Sequence, residues 1–110
     1  MIRNRLLAAL SETERHELVS HLTRVSVSLG EVLHQAHAEI QYVYFPENCV
    51  ISIISTREDG STVEVGVVGN EGMVGLRVLL GVKKTPHSAV VQVAGNAMRM
   101  GASLLEQHLR

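Results

Sequence analysis

Cys49-Val50-Ile51-Ser52-Ile53-Ile54-Ser55-Thr56, then Arg57-Glu58-Asp59-Gly60-Ser61, then Thr62-Val63-Glu64-Val65-Gly66-Val67-Val68 is the stretch that decides the fold class. Two runs rich in Val, Ile and Thr flank a polar segment that contains Asp-Gly. Branched side chains fit the pleated surface of a sheet. Asp-Gly supplies the positive-φ corner of a hairpin. The first run is nearly continuous in apolar and branched residues and reads as a well-buried strand. In its returning partner, alternation places Val63, Val65 and Val67 on one face.

Toward the N-terminus the same period recurs. Residues 40–45 form a strand that Pro46 stops. Val32 and Leu33 make a shorter one after the turn at Gly30, and His34 to Glu39 is a small polar turn. Val25, Val27 and Leu29 alternate with Arg24, Ser26 and Ser28, again the strand period. Before residue 23 the period becomes helical. Leu6, Leu7 and Leu10 share a face, and Ser11-Glu12-Thr13-Glu14 has the form of a capping box opening a second helix, from Glu12 to His21 or Leu22, with Leu18, Val19 and Leu22 inward. Toward the C-terminus, Gly69, Gly72 and Gly75 punctuate a loop that ends in one or two helical turns at residues 76–80. A basic loop with Lys83 and Lys84 follows, then strands at 88–93 and 97–100, and a last helix with Ser103 as its N-cap.

Several short strands with turns about ten residues apart predict a mainly β sandwich or barrel with flanking helices. The 110 residues fit one domain: helices over 1–22, a β-roll over 23–100, and the start of a C-terminal helix over 101–110. Ten Lys and Arg against eleven Asp and Glu give a net charge of −1, without the basic excess of a phosphate-gripping surface. No apolar run nears the ~20 residues of a membrane span, and residues 6–10 are too short for a signal core. A cytoplasmic domain without membrane contact is the expectation. The single cysteine, Cys49, excludes an intrachain disulfide or a four-thiolate cluster and reads as a buried apolar side chain.

No nucleophile elbow or phosphate-binding Gly-Lys-Ser/Thr loop occurs, so catalysis has no anchor. The glycine loop is the feature with chemical content. A helix start at Leu76 would point backbone N–H groups at a small anion, and His87-Ser88, opening the next long strand, would join the same site. The competing reading is that the glycines only turn the chain. His34 and His37 with Glu39 and a distant His87 allow a small metal-dependent, cupin-like barrel, although their spacing departs from His-x-His.

Three features together resemble the cyclic-nucleotide-binding β-roll of the Crp/Fnr family of transcription regulators. They are Leu29-Gly30-Glu31-Val32-Leu33-His34-Gln35; residues 40–45 followed by the hairpin with Asp59-Gly60; and Gly72-Met73-Val74-Gly75 followed by His87-Ser88-Ala89. The resemblance implies a double-stranded β-helix of the jelly-roll type and an effector site at Gly72, Gly75, Leu76, Arg77, His87, Ser88 and Ala89. Family members that bind cyclic AMP carry Gly-Glu at the start of this cassette and Arg-Ser/Thr-Ala at its end. The Glu holds a ribose hydroxyl and the Arg neutralises the phosphate. Here Leu76 follows Gly75, and His87 precedes Ser88-Ala89. Leucine accepts no hydrogen bond, and histidine lacks the arginine fork. Losing two charge-assisted bonds weakens binding by roughly a hundredfold or more, so cyclic AMP is not the expected effector.

The expected role is an effector-sensing regulatory domain, not an enzyme, with a small molecule as partner and no cofactor or metal. DNA would be reached only through a C-terminal domain that these residues do not include, and a homodimer is possible. A ligand-free interaction module is the alternative.

Overall fold

The computed structural model describes residues 3–108. The chain opens with two short helices, α1 (Arg5–Ala8) and α2 (Glu12–Val19). Seven strands follow: β1 (Thr23–Val27), β2 (Val32–His34), β3 (Tyr42–Pro46), β4 (Val50–Thr56), β5 (Thr62–Val68), β6 (His87–Val93) and β7 (Gly95–Gly101). A 3-10 helix (Leu76–Leu80) interrupts the strands between β5 and β6, and α3 (Ala102–His108) closes the described chain. One antiparallel sheet has the order β1-β7-β3 and the other β2-β6-β4-β5. This is the mainly β architecture with flanking helices that the strand periods predict, and of the jelly-roll type that the resemblance implies.

Alternation explains how the three-stranded sheet is covered on both sides. From β3, Val43 and Phe45 join Met100, Leu7, Val78 and Leu105 in a core beneath the helices. Tyr44 points the other way and packs with Val27, Ile51, Ala89, Val91 and Ala97 between the sheets. A strand buried on both faces reads as a continuous apolar run, which is the pattern of residues 42–46. The carboxylate of Glu47, just after β3, is buried. It accepts two bonds from Arg24 of β1, at 2.7 Å from Nε and 3.1 Å from the guanidinium amine. The hydrogen bonds from Arg24 outweigh burial and hold the Glu47 carboxyl below its ordinary range.

The hairpin forms as read. Gly60 has φ 87°, its N–H donates to the Arg57 carbonyl, and the Asp59 carboxylate accepts the Ser61 N–H at 2.9 Å. The capping box also forms, with Ser11 and Glu14 each accepting the other's backbone N–H at 3.2 Å.

Other expectations are corrected. Pro46 is the last residue of β3 rather than its stop, because strand-terminal proline loses no necessary donor. The second helix ends at Val19, short of His21. Ser103 lies inside α3, which begins at Ala102. Leu6 turns to solvent while Leu7 is buried. The valines of β5 do not share a buried face. Ile53 pairs with Gly66 and Ile54 with Glu64, so Val65 is the extra residue of a bulge, and Val65 and Val67 are half exposed.

Candidate functional site

His87, Ser88 and Ala89 begin β6, which is hydrogen-bonded to β4 on one side and β2 on the other. The sheet thus fixes their backbone. Opposite them lies the loop from Gly69 to the 3-10 helix. Isolated pairing between Tyr44 and Val74 pins that loop to β3, and Gly75 turns it into the helix with φ 97°. A Cβ at Gly75 would sit 2.8 Å from Val43 Cγ1, so close approach and positive φ both demand glycine there.

Between loop and sheet is a cavity of about 290 Å³. Of the seven residues expected from the sequence, Gly75, Leu76, Arg77, His87, Ser88 and Ala89 line it together. Gly72 does not. Its N–H donates to the Gly69 carbonyl and its carbonyl accepts from the Asn4 amide, so it is a turn residue. The rest of the wall is mostly apolar, with Ile40, Ile53, Val68 and Met73 among its members.

The polar groups are few and partly engaged. Ser88 Oγ accepts the Ala36 N–H at 3.0 Å. His87 Nδ1 lies 3.3 Å from the Thr85 hydroxyl. Arg77 alone among the lining residues carries a permanent charge, and it is exposed on the 3-10 helix. Lys83 and Lys84 are exposed and do not line the cavity. The 3-10 helix has five residues, too few to build the aligned dipole of an anion site.

His34 also lines the cavity, at the end of β2 opposite Ala89. Burial pushes its imidazole below the ordinary histidine range, which leaves it neutral at pH 7. His37 sits in the turn after β2, exposed, with φ 67°, and is not part of the wall. Among the described residues no cluster of three or more His, Cys, Asp or Glu is placed to hold a metal ion, so the His34, His37 and His87 set is not assembled. Cys49 is buried, and burial raises its thiol pKa, the state of an inert packing residue.

Sequence reasoning missed Asn4. It is fully buried and caps α1 by accepting the N–H groups of Leu6 and Leu7. Its amide donates to the Pro46 carbonyl at 2.8 Å and the Gly72 carbonyl at 2.9 Å. An asparagine before a helical leucine run was the available signal. Its long-range role had none.

The model of the cyclic nucleotide-binding domain family matches residues 24–110. No curated protein sequence matches the chain. Solved structures share the fold at low identity. The N-terminal domain of a transcriptional regulator from Streptomyces coelicolor A3(2) superposes with a TM-score of 0.79 at 21% identity, over 97% of this chain and 75% of that one. The sensor domain of the transcriptional regulator DNR from Pseudomonas aeruginosa gives 0.79 at 14% identity, over 96% and 71%. The regulatory subunit of a cAMP-independent protein kinase A from Trypanosoma cruzi, bound to guanosine, gives 0.83 at 18% identity. The match covers 98% of this chain but 38% of that longer one. Among the described residues no helix is long and apolar enough to cross a membrane.

Proposed function

The chain belongs to the cyclic nucleotide-binding domain family, and from that premise we propose that it is the non-catalytic, effector-sensing domain of a Crp/Fnr-type transcription regulator whose effector is not a cyclic nucleotide. One observation carries the second half of this reading. Where a cyclic phosphate and ribose would lie, the cavity presents His87 and Leu76, and its single permanent cation, Arg77, is at the exposed rim. A buried phosphate without a paired cation is strongly disfavoured. The trypanosomal neighbour is bound to guanosine, a nucleoside without phosphate, which is consistent with a domain of this fold taking a less charged molecule.

In the intact regulator, occupancy would bias the arrangement of the helices beside the cavity and through them a DNA-binding module elsewhere, in the cytoplasm and in a homodimer. A ligand-free interaction module is the weaker reading, because an open cavity of about 290 Å³ approaches the volume of ordinary ligand sites.

Titration of the purified domain with cyclic AMP and cyclic GMP tests this. No heat and no thermal shift at millimolar nucleotide is the expected result. Micromolar binding overturns the proposal. A ligand at a hundred times its dissociation constant adds about 2.7 kcal/mol of stability, so either outcome is plain in a melting curve.

A further inference from the structure

The helices that cover the β1-β7-β3 sheet leave a gap in their layer. Between α1, α2, the 3-10 helix and α3 lies an apolar groove of about 310 Å³. Its floor includes the buried core residues Leu7, Phe45 and Leu105. Its lips are leucines that the core leaves outside: Leu6, Leu76 and Leu79 are 41%, 57% and 39% exposed. A 3-10 helix has three residues per turn, so Leu76 and Leu79 stand one above the other while Val78 takes the buried side. Single exposed leucines are ordinary, but three converging on one groove mark an interaction surface. The second helix supports this. A surface helix ordinarily buries an apolar stripe, yet none of the eight residues of α2 is fully buried. Its Leu18, in the groove wall, packs against the core only in part.

We propose that this groove is the docking site for an amphipathic helix of a partner protein, with leucine-type side chains on one face and Lys or Arg flanking them. Charge sets the sign of the partner. Glu14 and Glu17 share a face of α2 and line the groove, and no Lys or Arg lines it. The one arginine of α2, Arg15, donates to the Ala8 carbonyl at 3.3 Å. The walls set its shape. Apart from Phe45 the lining comes from helices and the turns beside them, so there is no sheet edge to extend. A segment that satisfies its own backbone and offers side chains fits there, and that is a helix. The described helices of a second copy do not supply it. In that copy α1 and the 3-10 helix have four and five residues, α2 is acidic, and α3 carries Glu106 and neither Lys nor Arg. The inference does not rest on the neighbouring cavity being an effector site.

Three synthetic peptides of about 18 residues, long enough to form a helix in water, separate these features. One carries Leu at helical spacing and Lys elsewhere, the second has Glu for every Lys, and the third has the composition of the first with its Leu scattered. They are titrated into the isotope-labelled domain and followed by amide shifts. Met73 and Leu76 line both the groove and the effector cavity, so Leu18, Leu79 and Leu105 report on the groove alone and Ala89 on the cavity alone. The Leu/Lys peptide is expected to shift the groove reporters and to bind roughly tenfold or more tighter than either other peptide. Leu79→Gln, at an exposed position, is expected to weaken it by about tenfold. In the double variant Glu14→Gln, Glu17→Lys the preference for Lys over Glu peptide is expected to fall to about one or reverse. Glutamine serves in a capping box as glutamate does, so α2 is expected to form, and a melting curve checks it. Four results overturn the proposal: no shift at the groove reporters, equal binding of the scattered peptide, a charge preference that survives the double variant, or groove shifts that follow domain concentration without peptide, which would make a second copy the occupant.

Discussion

Asn4, bonded to the glycine loop, and His34, in the wall of the cavity beside that loop, each bury a polar side-chain atom, and they differ in what satisfies it. Asn4 uses its whole hydrogen-bonding capacity within the chain: two bonds accepted, from Leu6 and Leu7, and two donated, to Pro46 and Gly72. His34 leaves Nε2 with nothing. The first pattern is that of an architectural residue, since a buried polar group that is fully paired fixes which elements meet. The second is that of a group the fold itself leaves unpaired. The two residues thus divide the glycine loop's surroundings into a side that holds it and a side that it encloses.

The largest effect expected from breaking this comparison falls on Asn4. Asn4→Ala removes the α1 cap and the amide donors to two carbonyls. Each buried group left unpaired costs about 1–3 kcal/mol, so urea unfolding should show a loss of about 2–5 kcal/mol. A domain of ordinary stability holds about 5–15 kcal/mol, so the variant is expected to be marginal. Asn4→Asp is expected to be no better, because a carboxylate would face the Pro46 and Gly72 carbonyls. A loss under about 1 kcal/mol in both variants would mean that the pairing is ornamental and the contrast with His34 empty.

Next in size is Gly75→Ala, at the turn where the held and enclosed sides of the loop meet. It combines a positive φ of 97° with a Cβ 2.8 Å from the fully buried Val43. About 2–3 kcal/mol is expected. Gly81→Ala is the control. Its φ is 77°, but nothing lies within 4 Å of the added Cβ, so only the conformational cost, about 1 kcal/mol, remains. Equal losses in the two variants would show that contact with Val43 is unimportant to the loop's position.

The same comparison marks what was legible in the sequence. The hairpin at 57–61, the capping box at Ser11 and Glu14 and the helical turns at 76–80 depend on residues a few positions apart, and local chemistry reads them correctly. The Gly75, His87 and Ser88 grouping was legible through resemblance, because motif order survives where single residues change. Asn4 was not, since its amide partners lie 42 and 68 residues away. The bulge at Val65 was hidden too. Val63, Val65 and Val67 alternate in sequence whether or not the ladder takes on an extra residue, and only pairing with β4 decides. The orphan state of His34 Nε2 among the described residues is less legible still, because it is the absence of a neighbour and no local pattern encodes an absence.

A smaller effect follows from the titration of His34. Burial lowers its pKa in the folded state, while an unfolded histidine titrates near 6.5. Between those values the unfolded chain binds more protons, so stability rises with pH through that window. The contribution of the neutral imidazole is complete above about pH 6.5 and is lost as pH falls through the folded value. Wild-type domain should therefore lose more stability than His34→Leu between pH 7 and pH 5, measured by urea midpoints in one buffer series. Parallel curves would mean that the imidazole is hydrated in solution and that Nε2 is not sealed.

The smallest expected change is that of His34→Leu itself at pH 7, and its smallness is the point. Replacing a paired polar residue leaves a partner stranded, but Nε2 strands nothing, and leucine is at home against Ile53 and Val68 in the same wall. The variant should match the wild type within about 0.5 kcal/mol or exceed it, the ordinary range for a substitution that breaks no contact. Thermal unfolding of the two proteins at pH 7 reads this directly. Unchanged or raised stability shows that the unpaired imidazole contributes nothing to holding the fold. A loss approaching that of Asn4→Ala would instead place His34 among the residues that hold the fold, and the distinction between the two sides of the loop would collapse.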